Sequence, residues 1–198
     1  ILSKEPKNIN ALKNLYPILI NNMILDESKN LINQLIIESP NNYTLLRDRA
    51  YVTYLEGDFE SALTQINKAL NINNDEVFGI NIKGLVLFKL NNFDESKIIF
   101  KKAIKINSEY IDSYNNLGMC YYKNENLNEA YKNFKLAYKK NPDFILALIN
   151  IGNTLALKDK NRAALNIYKN ILKRDPKKKE MYINICIAYC KMGKFEKA

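Results

Sequence analysis

A 34-residue periodicity constrains the fold of this chain more than any other feature. Its clearest copy is Ile111–Phe144, where two segments with apolar residues at helical spacing flank the polar turn 123–126. Counted from Ile111, large residues stand at places 4, 7, 11 and 24, and small residues at places 8, 20 and 27. Small residues let two helices approach closely where large ones interlock. The pattern predicts a helix, a tight turn and a second helix.

The same chemistry recurs when this window is moved 34 residues at a time in either direction. No Gly/Ser-rich or Pro-rich linker interrupts the phase, so we predict one domain over residues 1–198, cut from a longer array. The predicted units are 9–42, 43–76, 77–110, 111–144 and 145–178, with a partial unit at 179–198 and the tail of a preceding unit at 1–8.

This layout resembles the tetratricopeptide repeat (TPR), a helix–turn–helix unit of about 34 residues. The fourth and fifth units are most similar to the repeat array of O-linked N-acetylglucosamine transferase. The resemblance implies an all-α, right-handed superhelical solenoid of antiparallel helix pairs. It also implies that the first helix of each pair lines a concave groove, in which a peptide or helix of a partner protein binds.

Turn and breaker residues repeat with the same period. Gly57 can adopt the left-handed conformation that ends a helix, and Asn91 and Gly193 stand at the same place in later units. We expect Pro40, Pro142 and Pro176 to end second helices and to leave the preceding residue extended. Pro17 lies inside a predicted first helix, so a kink or break is expected between Lys13 and Pro17.

The candidate binding residues lie on the face of the first helices that the predicted core does not use. A side-chain amide offers a donor and an acceptor, which suits an extended peptide backbone, and exposed aromatic residues serve as anchors at protein interfaces. The alternative interpretation is that asparagine is abundant throughout and that the apolar residues pack against the next unit. The predicted peptide-binding residues are Asn81, Asn115, Asn116, Asn150, Asn153, Asn184, Tyr51, Tyr54, Phe88, Met119 and Tyr122.

The formal charge of +9 raises the question of nucleic-acid binding. Most lysines fall on second helices and turns, away from the predicted groove, so we predict no nucleic-acid partner. The basic segment 173–179 either contacts an acidic partner or anionic surface, or is a solvated helix end, where cations suit the helix dipole.

Catalytic and metal-binding patterns are not found in the sequence. It has no histidine, no phosphate-binding Gly-rich loop and no nucleophile motif, so we predict no enzyme activity, no cofactor and no metal. Cys186 and Cys190 are one helical turn apart, but Cys120 is remote, which favours structural thiols. Three such cysteines favour a reducing compartment, and we predict a cytoplasmic location. No apolar run is long enough to span a bilayer, so no membrane insertion is predicted.

Two further hypotheses stay open at this point. The array can be the substrate-presenting or regulatory arm of a larger enzyme, such as a glycosyltransferase. It can also self-associate through open repeat ends, because a cut solenoid exposes an uncapped apolar face.

Overall fold

The computed structural model describes residues 9–194, and these form eleven α-helices and no strand. Odd-numbered helices begin at 34-residue intervals from Ile9, and even-numbered helices do so from Leu25. The helices are α1 (Ile9–Asn21), α2 (Leu25–Glu38), α3 (Tyr43–Glu56), α4 (Phe59–Ile72), α5 (Val77–Lys89), α6 (Phe93–Ile106), α7 (Ile111–Lys123), α8 (Leu127–Lys140), α9 (Ile145–Leu157), α10 (Asn161–Arg174) and α11 (Lys179–Lys191).

The residue that closes each first helix has a positive φ, between 55° and 89°. The amide that follows it bonds to a carbonyl five residues back, as in Asp58 to Thr53 at 3.2 Å and Asn126 to Tyr121 at 2.9 Å. The left-handed geometry predicted for Gly57, Asn91 and Gly193 is confirmed. It recurs at non-glycine residues, so the six positions are Met23, Gly57, Asn91, Glu125, Asp159 and Gly193.

The connections between helical pairs are extended. Ser39, Asn141 and Asp175, which precede prolines, have φ of −144°, −140° and −140°, which confirms the predicted effect of proline on its neighbour. Asn73 has φ of −138° with no proline after it. The 34-residue register therefore does not depend on proline alone.

Helix α1 continues through Pro17 to Asn21, so the expected interruption does not break it. Leu12, Tyr16 and Leu19 of this helix are buried. Their packing offsets the cost of an internal proline, which is about 3 kcal/mol in a regular helix.

The chain divides into two compact units, residues 1–99 and 100–198, and the boundary lies inside α6. In the second unit, Phe134 and Tyr168 belong to one buried cluster and lie over the glycines of the first helices. A Cβ atom on Gly118 would lie 2.6 Å from the Phe134 ring, and one on Gly152 would lie 2.6 Å from the Tyr168 ring. The helices of each pair therefore approach at the places where the sequence has its small residues.

In the first unit, alanines and branched residues fill the corresponding positions. Ala50, Ala62, Ile66 and Ala69 are fully buried in one cluster of α3 and α4. Tyr16 occupies a place where other units have a small residue, and its hydroxyl donates to Asp48 Oδ2 at 3.0 Å. The larger side chain is accommodated because its polar end has a partner.

Candidate peptide-binding site

Two of the predicted asparagines join consecutive first helices of the second unit. Asn150 Nδ2 on α9 donates to Asn115 Oδ1 on α7 at 2.9 Å. Asn115 is only 3% exposed, while Asn150 is half-buried. Part of the predicted row of amides therefore holds neighbouring repeats together.

A second amide cluster lies one repeat further along. Asn153 Oδ1 on α9 accepts from the Tyr168 hydroxyl at 3.0 Å and from Asn184 Nδ2 on α11 at 3.3 Å. Burial, followed by the charge of Tyr122, raises the pKa of Tyr168 to about 12, so the phenol stays a hydrogen-bond donor at neutral pH. Asn153 thus has a fixed orientation.

A pocket of about 260 Å³ opens where this cluster meets the ends of α7 and α11. Three predicted residues, Tyr122, Asn153 and Asn184, meet in its lining. Tyr122 also packs against the core of the second unit, which holds its ring in place. Leu157, Ile187 and Lys191 also line the pocket, and Leu157 is 51% and Ile187 49% exposed. The pocket combines apolar walls with amide groups, which suits an apolar side chain and its peptide backbone.

Sequence reasoning missed a further residue of this pocket, Asn161. It is 9% exposed, lines the pocket, and its Oδ1 has no hydrogen-bond partner within the described residues. A buried oxygen without a partner costs about 1–3 kcal/mol, so a ligand that donates to it is stabilised. Asn161 begins a second helix, outside the stripe that the sequence singled out, and no pattern in the sequence marks it.

Basic residues surround this end of the second unit. A cavity that shares Asn161 and Lys191 with the pocket is also lined by Lys160, Arg162 and a single carboxylate, Asp159. Residues 100–198 contain 20 Lys and Arg against 9 Asp and Glu, a formal charge of +11. Residues 1–99 contain 10 against 12, a formal charge of −2. The excess positive charge of the protein is therefore confined to the unit that carries the pocket.

The other predicted residues of the second unit are close to the core. Met119 is half-buried and packs against the same apolar cluster as Tyr122. Asn116 is half-buried on α7. The three asparagines at place 6, Asn116, Asn150 and Asn184, thus retain partial exposure on successive first helices.

The remaining four predicted residues belong to the first unit. Tyr51 and Tyr54 are half-buried, and their rings stack with centroids 6.2 Å apart. Phe88 packs edge-on against Phe93 at 5.3 Å, and Asn81 is 3% exposed. These side chains contribute to packing within their own unit.

A charged cluster around Arg47 is a second feature that the sequence did not reveal. Arg47 pairs with Asp48 at 2.7 Å and lies 3.8 Å from Glu76, whose Oε2 accepts from the Tyr43 hydroxyl at 2.5 Å. Burial raises the pKa of Asp48, although the neighbouring Arg47 opposes the rise. Burial and the bond to Glu76 raise the pKa of Tyr43 well above its usual range. All of these groups have partners, so the cluster links α3 and α5 and is not an open site.

The helical pairs define a helical-repeat protein, and comparison with known families specifies the repeat. Residues 111–144 match one model of the tetratricopeptide repeat, and residues 80–110 match another. The chain therefore contains TPR repeats, as the sequence predicted for this region. A comparison with curated proteins gave no match.

Solved structures confirm the predicted all-α TPR solenoid class. PilF of Pseudomonas aeruginosa gives a TM-score of 0.82 at 14% identity, covering 96% of this chain and 86% of the other. TTC0263, a TPR protein of Thermus thermophilus, gives 0.78 at 16% identity, covering 92% and 99%. YrrB, described as a TPR protein with an unusual peptide-binding site, gives 0.65 at 18% identity, covering 91% and 93%. At these identities the likeness defines the fold.

Two further observations concern the environment of the protein. Among residues 9–194, no helix is both long enough and apolar enough to cross a membrane. Cys120 is buried, Cys186 half-buried and Cys190 exposed, and none of the three forms a disulfide.

Proposed function

We propose that this protein is an interaction scaffold that binds an extended or helical segment of a partner protein along α7, α9 and α11. The pocket at Tyr122 carries the proposal, because three residues selected from the sequence meet there with an amide oxygen that lacks a partner. The TPR repeats at residues 80–144 support the same function.

The chemistry of binding follows from the lining of the pocket. An apolar side chain of the partner enters between Leu157, Ile187 and the Tyr122 ring, and burial of its surface supplies most of the free energy. The partner backbone bonds to the amides of the adjacent first helices. Asn150 and Asn184 each use one donor in the bonds described above, and an asparagine side chain offers two donors and an acceptor oxygen.

Charge indicates which partners are favoured. The formal charge of +11 on residues 100–198 attracts acidic segments and accelerates their association at low salt. Lys160, Arg162 and Lys191 make no ion pair with a carboxylate in the described part of the chain, so they remain able to bind an acidic partner.

Selection from a random 12-residue peptide library displayed on phage tests the proposal. The immobilised full chain is expected to enrich peptides that combine a large apolar residue with Asp or Glu. A synthetic copy of an enriched peptide should bind the double variant Leu157→Ala/Ile187→Ala about tenfold more weakly or worse, as expected when an anchor pocket is lost.

The matched control is Leu136→Ala/Ile106→Ala, which trims two exposed apolar residues on the second helices of the same unit. Its affinity should equal that of the parent chain. Failure to enrich any peptide above background, or equal losses in both variants, would contradict the proposal.

The alternative proposal is that these repeats form the substrate-presenting or regulatory arm of a larger enzyme, such as a glycosyltransferase. It rests on the resemblance of residues 111–178 to the array of O-linked N-acetylglucosamine transferase, and the comparisons give no link to that enzyme. It requires a natural polypeptide with a catalytic domain in addition to these repeats. Immunoblotting of the endogenous protein decides this, because a band near 23 kDa would rule out the alternative.

The cellular setting is likewise proposed. Three cysteines outside any disulfide support a reducing compartment such as the cytoplasm. Self-association through open repeat ends stays a prediction, and a molar mass that is constant with concentration in light scattering would overturn it.

A further inference from the structure

The second and third repeats have a basic residue, Arg49 and Lys83, at place 7, which the other repeats fill with an apolar residue. Leu15, Leu117 and Ile151 occupy place 7 in their units, whereas the second unit has Arg49. We propose that Arg49 is the centre of a carboxylate-binding site on α3 and α4, separate from the proposed peptide site in the other unit.

Arg49 is a partly buried guanidinium that pairs with no carboxylate of the described residues. Its Nε is buried and has no hydrogen-bond partner, and no ion pair in the described part of the chain includes it. Arg47, two residues earlier, shows the contrast, since it pairs with Asp48 at 2.7 Å. A buried charged donor without a partner is destabilising, so the site gains free energy when an anion binds.

Arg49 lines a cavity of about 490 Å³ between α3 and α4. Gln65 and Lys68 of α4 also line it. The Thr53 hydroxyl donates to Gln65 Oε1 at 3.1 Å, so the oxygen of this amide is occupied and its nitrogen is the end left to donate to a ligand. A planar guanidinium, an amide donor and an ammonium group together match the two oxygens of a carboxylate.

Glu60 restricts the class of anion. It also lines the cavity, so a ligand with two negative charges meets more repulsion than a singly charged one. Because Arg49 and Lys68 attract the same added charge, the proposed preference for a carboxylate over phosphate rests on the match of two coplanar oxygens to the Arg49 fork and the Gln65 amide. Asp58 caps the start of α4 through the Ser61 amide at 3.1 Å, so the end of the helix is already occupied.

The test uses the side-chain Nε–Hε signals of the ¹⁵N-labelled chain in NMR, because the sequence has only four arginines, Arg47, Arg49, Arg162 and Arg174. The probes are sodium acetate, N-acetyl-glutamate amide and sodium phosphate, each at constant ionic strength. The Arg49 signal should shift along a saturating curve with both carboxylates. The exposed Arg162 and Arg174 signals should change only linearly.

Three variants test which side chains of the cavity determine the affinity for acetate. Glu60→Gln should tighten acetate binding at least threefold in the Arg49 titration. Arg49→Lys keeps the charge without the planar fork and should weaken acetate binding at least threefold, measured through the Gln65 side-chain amide signals because the Arg49 signal is lost. Arg162→Gln removes one positive charge elsewhere and should leave the Arg49 titration unchanged. Circular dichroism establishes that each variant is folded.

The two carboxylate probes distinguish the sources of the ligand. Saturation by acetate and by N-acetyl-glutamate amide alike supports a small carboxylate, and saturation by the amino-acid derivative alone supports an acidic side chain of a protein. A linear Arg49 response, tighter binding of phosphate than of acetate, or no effect of Glu60→Gln would overturn the assignment. None of these results bears on peptide binding at the Tyr122 pocket, so the two proposals fail independently.

Discussion

Asn150 Nδ2 donates a 2.9 Å hydrogen bond to Asn115 Oδ1, which lies 35 residues earlier on the preceding first helix. The bond joins place 6 of one repeat to place 5 of the repeat before it. Stacked first helices bring these two places together. The same amides are thus part of the interface between repeats and part of the candidate binding face.

Asn150→Ala is expected to lower the free energy of unfolding by about 1–3 kcal/mol, because it leaves the buried oxygen of Asn115 without a partner. Adding Asn115→Ala should cost less than the sum of the two single changes, since the orphaned oxygen is then removed. Urea unfolding of the two single variants and the double variant, followed by circular dichroism, measures the coupling between the two side chains. Asn166→Ala, at an exposed position of α10, is the control and should change the free energy by no more than about 0.5 kcal/mol. Strict additivity would show that the pair contributes no coupling.

Glu125→Gly is expected to stabilise the protein by up to about 1 kcal/mol, because Glu125 has a φ of 58° and glycine adopts this conformation without steric cost. Asn124→Gly is the matched control one residue earlier, where φ is −87°. There glycine only increases the freedom of the unfolded chain, so a loss of about 0.5–1 kcal/mol is expected. Relative to the parent chain, the midpoint temperature of thermal unfolding should rise for Glu125→Gly and fall for Asn124→Gly. A shift of both midpoints in the same direction would refute this account of the turn.

Gly118→Ala is expected to destabilise the protein by about 1–3 kcal/mol, because the new methyl group would lie 2.6 Å from the fully buried Phe134 ring. The cost should fall when the substitution is made together with Phe134→Leu, which removes the edge of the ring. Chemical unfolding of both single variants and the double variant provides the comparison. An equal cost in both backgrounds would mean that the backbone moves instead of the ring.

Glu76→Gln is expected to lower stability at pH 7 by about 1 kcal/mol, a typical value for a weakened helix cap. Burial alone raises the pKa of Glu76, but bonds from the Tyr43 hydroxyl and the Gly79 and Phe78 amides, with Arg47 nearby, bring it below the ordinary value of 4.5. A carboxyl group whose pKa is lowered by folding stabilises the folded state at pH values above its pKa in the unfolded chain. This contribution is lost as the pH falls through its pKa in the folded chain.

The difference in stability between the parent chain and Glu76→Gln should therefore be constant near neutrality and shrink below about pH 4.5. Urea titrations at several pH values measure it. Glu38→Gln is the control, because Glu38 is exposed and has no hydrogen bond or ion pair in the described part of the chain. A difference that stays unchanged down to pH 2 would contradict the role assigned to the Glu76 charge.

Much of the fold could be predicted because the repeat encodes it locally. Gly118, Ala130 and Phe134 are spaced for one tight helical pair, and the same spacing returns every 34 residues. The left-handed turn at Gly57 was predictable from residue type, whereas its recurrence at Met23 and Glu125 was not. Those residues adopt the conformation because the helices on either side fix the turn, at a cost that local preference would not predict.

The candidate site was predicted only in part. Tyr122, Asn153 and Asn184 were selected because they lie on one face of successive first helices, and they do line one pocket. Asn161 and Arg49 are candidate ligand-binding residues because each has a buried polar atom without a hydrogen-bond partner. The sequence could not show this, because burial depends on residues distant in sequence.

The helical pairs, their register and the face on which the asparagines lie could all be read from the amino-acid sequence, because they follow from periodic spacing along the chain. The folded structure was needed to learn which amides bond to each other, which polar atoms are buried without partners and where cavities open. Hydrogen bonding and burial depend on distances of a few ångströms between helices, and spacing along the chain fixes these distances only to within a helical turn.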